Sequence, residues 1–468
     1  MKIELGQTLP PTKPTLLSLA ADAAGRYVEG ERHGRASPTP EALAALDAFT
    51  PEALDRPISP TEAVDLLDRI GGPAAMRTTG GRYFGFVNGG VEPAGLAASL
   101  LSAAWDQNLA LPVMSPIGAR LDEIAARWVI DLLGLPTGAT ATFCAGATIA
   151  NITAVLTARD ALLRRVGCDV RRAGLTGAPP LTVITSAETH VSVLKAVVVA
   201  GLGLDNVAFV PTDECGCIRA DAMPAITGPT LVILQAGNVN TGHSDPFAAV
   251  IDQLDRAGTR NQAWIHVDGA FGLWANATPH RRHLLVGVER ADSWATDAHK
   301  WLNSPYDCGI VICANGAELR ASMSMDASYA SGDADDRPLM SLGLQMSQAA
   351  RAVPVWAILA TLGRAGVAEA IERCCRLADR FAQHLSEAGA ELLAPVVLNQ
   401  ALVSFGSDVE TDEVIAAVQA DGTCWMGATT WQGRRAMRIS VSDTSTTAAD
   451  VDAAVGAITR LFVDQRRG

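Results

Sequence analysis

Of the 37 basic residues in this 468-residue chain only Lys2, Lys13, Lys195 and Lys300 are lysines, and the other 33 are arginines. Codon bias accounts for such a ratio. Even so, each surviving lysine invites a search for amine chemistry, because a shielded lysine can shed its proton and attack while an arginine cannot. Lys300 closes the run Thr296-Asp297-Ala298-His299-Lys300, directly behind a strand-like Ser293–Ala295. Three other short apolar runs also end on residues able to do chemistry. Leu181–Thr185 leads to Glu188-Thr-His190, Leu231–Leu234 to Gln235-Ala-Gly-Asn238, and Trp264–Val267 to Asp268-Gly-Ala270. Ligands of open α/β sheets gather at the carboxyl ends of parallel strands. An imidazole, an amide, a carboxylate and an amine would therefore meet on one edge. Singly, Asp268 reads as a turn residue, His190 as a structural histidine and Lys300 as a surface lysine. Their order and placement together carry the inference.

Those groups are what pyridoxal phosphate requires. Its aldehyde takes a lysine amine as a Schiff base, and its pyridine nitrogen takes a carboxylate that keeps it protonated as an electron sink. Its phosphate takes backbone N–H groups at a helix start. The small-residue turn Phe143-Cys-Ala-Gly-Ala-Thr148, running into helix-like Ile149–Arg159, offers such a start.

The elements that must position these residues are legible from about residue 140 to 315. Short apolar runs there, including Val207–Val210 and Gly309–Cys313, alternate with helix-like stretches such as Val191–Ala200 and Pro246–Ala257. That alternation predicts an α/β fold around a mostly parallel central sheet. Residues 1–88, rich in proline and with a helical repeat over 61–70, read as a helical arm or lead-in. Residues 89–352 read as the large α/β domain, opening with helical stretches over 95–133 broken at Pro112 and Pro116. Residues 353–468 read as a small α+β domain: a helix over 355–385, strand-like 402–405, a helix over 411–420, strand-like 435–441 and a final helix opened by Thr447 and Asp450 as a capping box.

The balance of 37 basic against 50 acidic residues, a formal −13, argues against a nucleic-acid or anionic-membrane binder. No run of about 18 uninterrupted apolar residues suggests a transmembrane span, and the amino terminus lacks a secretory pattern. Nine scattered cysteines without a Cys-x-x-Cys spacing fit reduced thiols in a cytoplasmic protein, and the His280/His283 spacing fits a solvated turn better than a metal site. Gly201-Leu-Gly203 follows a helix and lacks the third glycine of a dinucleotide fingerprint. No lysine follows a glycine, as a P-loop requires, and no Gly-x-Ser-x-Gly elbow occurs.

The runs SAETHVSVLKAVVVAGLG, AWIHVDGAFG and DAHKWLNSPYDCG resemble the group II pyridoxal-phosphate-dependent amino-acid decarboxylases, which include aromatic-amino-acid, histidine and glutamate decarboxylases. The resemblance runs from about Tyr83 to Gly363. It implies a fold type I, aspartate-aminotransferase-like architecture, a homodimer with an amino-acid substrate, and decarboxylation to an amine. Carried over, Lys300 resembles the Schiff-base lysine, Asp268 the partner of the pyridine nitrogen, Ala270 the small residue beneath the ring and His190 the histidine stacked on it. Ala147 and Thr148 fall at the phosphate turn, and His299 just before the lysine. Tyr329 falls at the mobile-loop tyrosine that delivers a proton in the aromatic decarboxylases. The chain departs from the pattern in three places. Asp297-Ala298 stands where Asn-Pro is common, Gln348-Ala349-Ala350 replaces further arginines before Arg351, and Phe86–Gly90 replaces a more aromatic substrate wall. An acidic residue beside a phosphate is unfavourable unless hydrogen bonds hold it away. Two other outcomes stay open on this reading: another reaction on the same scaffold, such as oxidative deamination to an aldehyde or carbon–carbon bond formation, and a non-catalytic regulator that binds the cofactor.

Overall fold

The computed structural model describes residues 12–30, 34–50, 54–325 and 338–467. Seven strands build the central sheet: β1 (Thr140–Cys144), β2 (Thr182–Ser186), β3 (Val207–Val210), β4 (Thr230–Gln235), β5 (Ala263–Asp268), β6 (Ser293–Asp297) and β7 (Gly309–Cys313). Their order is β1-β7-β6-β5-β4-β2-β3. The pairs from β3 across to β6 are parallel, and β7 runs antiparallel to both of its neighbours. Every residue of β4 through β7 is buried, as expected of strands covered by helices on both faces. The amphipathic helix Phe247–Arg256 shows how such a cover forms: Phe247, Val250, Ile251 and Leu254 fall on one stripe and are the residues it buries.

Register does the positioning. Gln235 of β4 lies level with Asp268 of β5, and Asp268 level with Ala295 of β6. Three parallel strands thus end together, and the residues after each strand are delivered to the same edge. The helix Gly146–Arg165 crosses behind that edge and buries fourteen of its residues, including Ala150, Asn151 and Ala154.

A second, antiparallel sheet comes next along the chain in the order β10-β11-β9-β8, from β8 (Glu391–Leu392), β9 (Gln400–Ser404), β10 (Gly427–Trp431) and β11 (Arg434–Ser440). Helix Asp408–Asp421 packs on β11, and helix Ala448–Arg467 packs on helix Asp408–Asp421. The second opens on the expected reciprocal cap, with Thr447 N–H donating to Asp450 at 2.9 Å and Asp450 N–H to the Thr447 hydroxyl at 3.3 Å. The helix Ala352–Glu387 is long and apolar enough to cross a membrane. Here it packs on helices Pro93–Trp105, Pro116–Leu132 and Ala448–Arg467 and on β9, and Gly363 (φ 58°, ψ −177°) interrupts its helical geometry. The lead-in ties to the second sheet as well: Phe84 N–H donates to the Trp425 carbonyl at 2.7 Å, and Ala36 N–H to the Gly422 carbonyl at 2.8 Å.

Three strands differ from the sequence expectation. β1 replaces the start of the turn read at Phe143–Thr148, because Thr140–Cys144 gains a ladder only when β7, far along the chain, lies beside it. β10 pairs with β11 through a tight turn at Gln432 (φ 48°) and Gly433 (φ 81°), both left-handed. Such turns usually announce themselves as Asn-Gly, so Gln-Gly concealed this one. β8 has only two residues, too few for a periodic signal.

Close backbone approach pins the helix start to the sheet. A Cβ on Gly309 would stand 2.2 Å from the Gly146 carbonyl carbon and 2.6 Å from its Cα. Backbone cannot swing aside as a side chain can, so Gly309→Ala should cost about 1–3 kcal/mol, the usual range for overpacking. Equilibrium urea unfolding of the two proteins checks this.

Candidate active site

A cavity of about 350 Å³ opens at the shared strand edge. Asp268, the last residue of β5, is buried at its floor and accepts the Ala270 N–H at 3.2 Å. His190, Ala147, Thr148, Ala270, His299 and Lys300 line the same cavity. Seven of the residues expected from sequence are thus brought together. Asn238 is not among them. Its side-chain oxygen accepts the N–H groups of Asn240 (2.8 Å) and Thr241 (3.3 Å) and so stabilises its own turn, while its Nδ2 is buried without a hydrogen-bond partner among the described residues. Gln235, Gly237 and Val239 reach the cavity instead. Tyr329 lies outside the described residues.

Asp297, the last residue of β6, organises the wall formed by the helix start and the lysine. Its carboxylate accepts the Ala147 N–H at 2.6 Å, and its other oxygen stands 3.4 Å from Lys300 Nζ and 3.6 Å from His299 Nε2. Its backbone carbonyl accepts Trp274 Nε1–H at 2.9 Å. The acidic residue that sequence marked as a departure is therefore satisfied by a helix N-terminus and an ammonium, the two partners a buried carboxylate most needs.

His299 and His190 both have an imidazole nitrogen occupied by backbone. Cys308 N–H donates to His299 Nδ1 at 3.2 Å, and Ser192 N–H to His190 Nδ1 at 3.2 Å. Burial lowers the pKa of both, with the nearby charges of Asp268, Asp297 and Lys300 as smaller influences. Tyr306 stacks near His299, ring centres 4.3 Å apart, and donates its hydroxyl to Asn88 at 2.9 Å. Burial pushes its phenol up to about 12. Asp307, next along, holds Arg351 at 2.9 Å.

Sequence reasoning missed Tyr306, Ser192 and Arg438. The first sits in a loop whose path nothing local dictates. Ser192 was hidden inside a helix, two residues past a histidine whose capping role only the fold reveals. Arg438 carries a detectable signal: it stands between Met437 and Ile439, both fully buried, within β11. Its charge acts on His190, and burial lowers its own pKa.

The donor set fits pyridoxal phosphate. A strand-end carboxylate, an amine and a flat imidazole share one cavity, and the helix beginning at Gly146 (φ 82°) has no side-chain cap from its own N-cap residue, Ala145. The model of the pyridoxal-dependent decarboxylase conserved domain matches residues 75–407. The chain belongs to the pyridoxal-dependent decarboxylase family. Pyridoxal phosphate is its cofactor and amino-acid decarboxylation its class of reaction. Tryptophan decarboxylase 1 of Oryza sativa subsp. japonica is 27% identical over 398 residues, 77% of this chain and 76% of that one. Human cysteine sulfinic acid decarboxylase is 31% identical over 264 residues, 54% of this chain and 52% of that one, so the match spans about half of its length. A crystal structure of Oryza sativa TDC with PLP and tryptamine superposes with a TM-score of 0.87 at 22% identity, covering 98% of this chain and 99% of that one. The fold of this decarboxylase is accordingly that of the fold type I enzymes.

Behind Asp268 lies a histidine with a stability consequence. His266 is fully buried, and desolvation lowers its pKa from 6.5 to about 4. Its folded value lies below its unfolded one, so the unfolded chain binds the extra proton. The contribution is fully present above pH 6.5 and is lost as pH falls towards 4, amounting to roughly 3 kcal/mol. Urea unfolding across that window should show the loss, and His266→Gln should flatten the slope.

Proposed function

We propose that this decarboxylase acts on an L-amino acid through a Schiff base on Lys300 and releases the corresponding amine and carbon dioxide. The observation that carries the reading is the placement of Lys300, Asp268 and His190 around one cavity at the ends of adjoining parallel strands. Bound pyridoxal phosphate supplies a sink for the electron pair left when the bond from Cα to the carboxylate breaks. Asp268 holds the proton on the pyridine nitrogen that makes that sink effective. At the helix start, Thr148 would offer its N–H to the phosphate, next to the Ala147 N–H that Asp297 accepts, and His299 and Lys300 hold the charge of Asp297 beside them. His190 covers the ring face, with Ala270 small enough to leave room on the other side. Tyr329 is assigned the delivery of a proton to Cα, on the strength of its position relative to Lys300.

Assembly as a homodimer belongs to the same proposal. Helix Pro93–Trp105 and the segment after it expose Leu96, Leu100, Leu101, Trp105, Val113 and Met114. A cavity of about 260 Å³ beside this helix shares Tyr306 and Asp307 with the candidate site. A partner that covers these apolar side chains would stand next to the chemistry, and Trp105–Met114 is the segment proposed to reach the neighbouring site.

Borohydride treatment of the purified protein should place a stable pyridoxyl mass on the peptide containing Lys300, and none on the Lys300→Arg protein. Incubation with the twenty amino acids, scoring carbon dioxide, amine and peroxide, should yield amine in step with carbon dioxide for the native substrate. Tyr329→Phe should lower amine output by at least about tenfold, in keeping with the loss of a positioned proton donor, and leave cofactor binding unchanged. Peroxide as the main product of the parent would instead assign oxidative deamination.

Light scattering should return a mass twice the 48.8 kDa of the chain. A fully active monomer would remove the dimer from the proposal.

A further inference from the structure

His190 does more than line the cavity: it is the N-cap of helix Val191–Val199. The Ser192 N–H is one of the first-turn donors that a helix cannot satisfy internally, and it donates to His190 Nδ1 at 3.2 Å. The Ser192 hydroxyl stands 2.8 Å from the same nitrogen. A neutral imidazole has one nitrogen lone pair for accepting and one N–H for donating. With its lone pair turned to Ser192, the proton must be on Nε2.

Buried polar groups behind Ser192 reinforce this arrangement. Asn151 Nδ2 donates to Ser192 Oγ at 3.4 Å, and Asn151 Oδ1 lies 2.9 Å from His266 Nε2. His266 Nδ1 lies 2.9 Å from Ser293 Oγ, which accepts Trp264 Nε1–H at 2.8 Å. Indole is a donor only. The serine hydroxyl is thereby freed to donate to His266 Nδ1, which leaves His266 Nε2–H for Asn151 and the Asn151 amide for Ser192. Each hydrogen bond then points towards His190. Asn151 and His266 are fully buried, so no water competes for these bonds.

We infer that Ser192 is a positioning residue that holds His190 in the neutral, Nε2-protonated tautomer, so that the imidazole offers the cavity an N–H and not a lone pair. The inference rests on the reading of His190 as a cofactor-site residue for its catalytic meaning, but the tautomer itself follows from the cap. Charges facing His190 come from Asp268 on β5, Asp297 and Lys300 at the end of β6, and Arg438 on β11. Two are anionic and two cationic, so they oppose one another and leave burial and the Ser192 bonds to hold the ring neutral. A ring in this state can donate a hydrogen bond to a carboxylate or to a developing charge in the cavity, and it cannot take a proton at Nδ1 without breaking the cap.

The test is nitrogen NMR on the holoenzyme labelled with 15N-histidine, repeated after the cofactor has been removed. Eight histidines are present, and the signals of His190 are those missing from His190→Gln. The expected result is a lone-pair nitrogen at Nδ1 and a protonated Nε2, with and without cofactor. Ser192→Ala keeps the backbone N–H and removes the hydroxyl that favours the neutral ring. The protonation midpoint of His190 should then rise by roughly 0.5–1 pH unit, and Ser192→Thr should restore it. A wild-type ring protonated at Nδ1 overturns the inference. So does a Ser192→Ala protein whose His190 titrates with the wild type. Absence of a pyridoxyl adduct on Lys300 would sink the proposed function and leave this tautomer result standing.

Discussion

A carboxylate taken out of water must be met by donors or positive charge, and the architecture around the cavity turns on how Asp297 meets that requirement. Its partners come from three places: the first turn of helix Gly146–Arg165, the imidazole of His299 and the ammonium of Lys300. Each is thereby fixed relative to β6. The helix start is further held because Gly309 lies against the Gly146 backbone, and Trp274 anchors the Asp297 carbonyl from below. Removing one partner of such a buried group costs far more than the interaction is worth in sum. The cavity wall is therefore a single unit, in which the helix start and the lysine cannot drift apart.

Charge in the cavity is divided unevenly among its titratable groups. Both imidazoles have a nitrogen lone pair committed to a backbone N–H, and both are pushed towards neutrality by burial. That leaves Asp268 and Asp297 facing Lys300, with the Arg438 guanidinium beyond His190. Two anions at the ends of neighbouring strands can serve different purposes. The Asp268 carboxylate accepts the Ala270 N–H at the end of its own strand, whereas Asp297 is engaged with the helix start. An acidic residue at position 297 reads as an obstacle to phosphate in one dimension. In three dimensions it is a neutralised element of the wall.

The legibility of this protein divides along physical lines. Lys300, Asp268, Ala270 and His190 could be read because each comes just after an apolar run, and parallel strands in register must carry their succeeding residues to one edge. Ala147 and Thr148 could be read because a small-residue turn leads into a helix whose first-turn N–H groups need outside partners, one of which Asp297 supplies to Ala147. Asn238 misled for the same reason that it looked attractive: β4 ends at Gln235, and three residues further on the chain has already turned, with the amide oxygen engaged in its own loop and the side chain outside the cavity lining. Tyr306 had no local pattern to betray it, and the one clue to Arg438, a charge between the buried Met437 and Ile439, shows that it turns inward but not that it comes up against the first sheet. β1 and β10 were obscured because short Thr- and Ala-containing segments acquire strand character from their partners.

The division between the two sheets explains why the helix Ala352–Glu387 is so long. One end buries Val353, Val355 and Ile358 among the helices of the large sheet, while the other buries Phe381 and Leu385 against the small one. Phe84, at the end of the lead-in, meets Phe381 edge-on with ring centres 4.8 Å apart, and its backbone bridges Trp425 and Ser440 of the second sheet. From there the chain passes Asn88, which holds Tyr306, and Gly89, whose Cα has room beside the Lys300 carbonyl only because it carries no Cβ. A single continuous stretch, residues 83–89, thus couples the packing of the small sheet to the backbone of the lysine. Motion of one sheet relative to the other would be felt at the Lys300 backbone and at Tyr306, the two points that residues 88–89 touch. The Tyr306 loop and the backbone of Lys300 are thus held by the same hydrophobic contacts that join the two sheets.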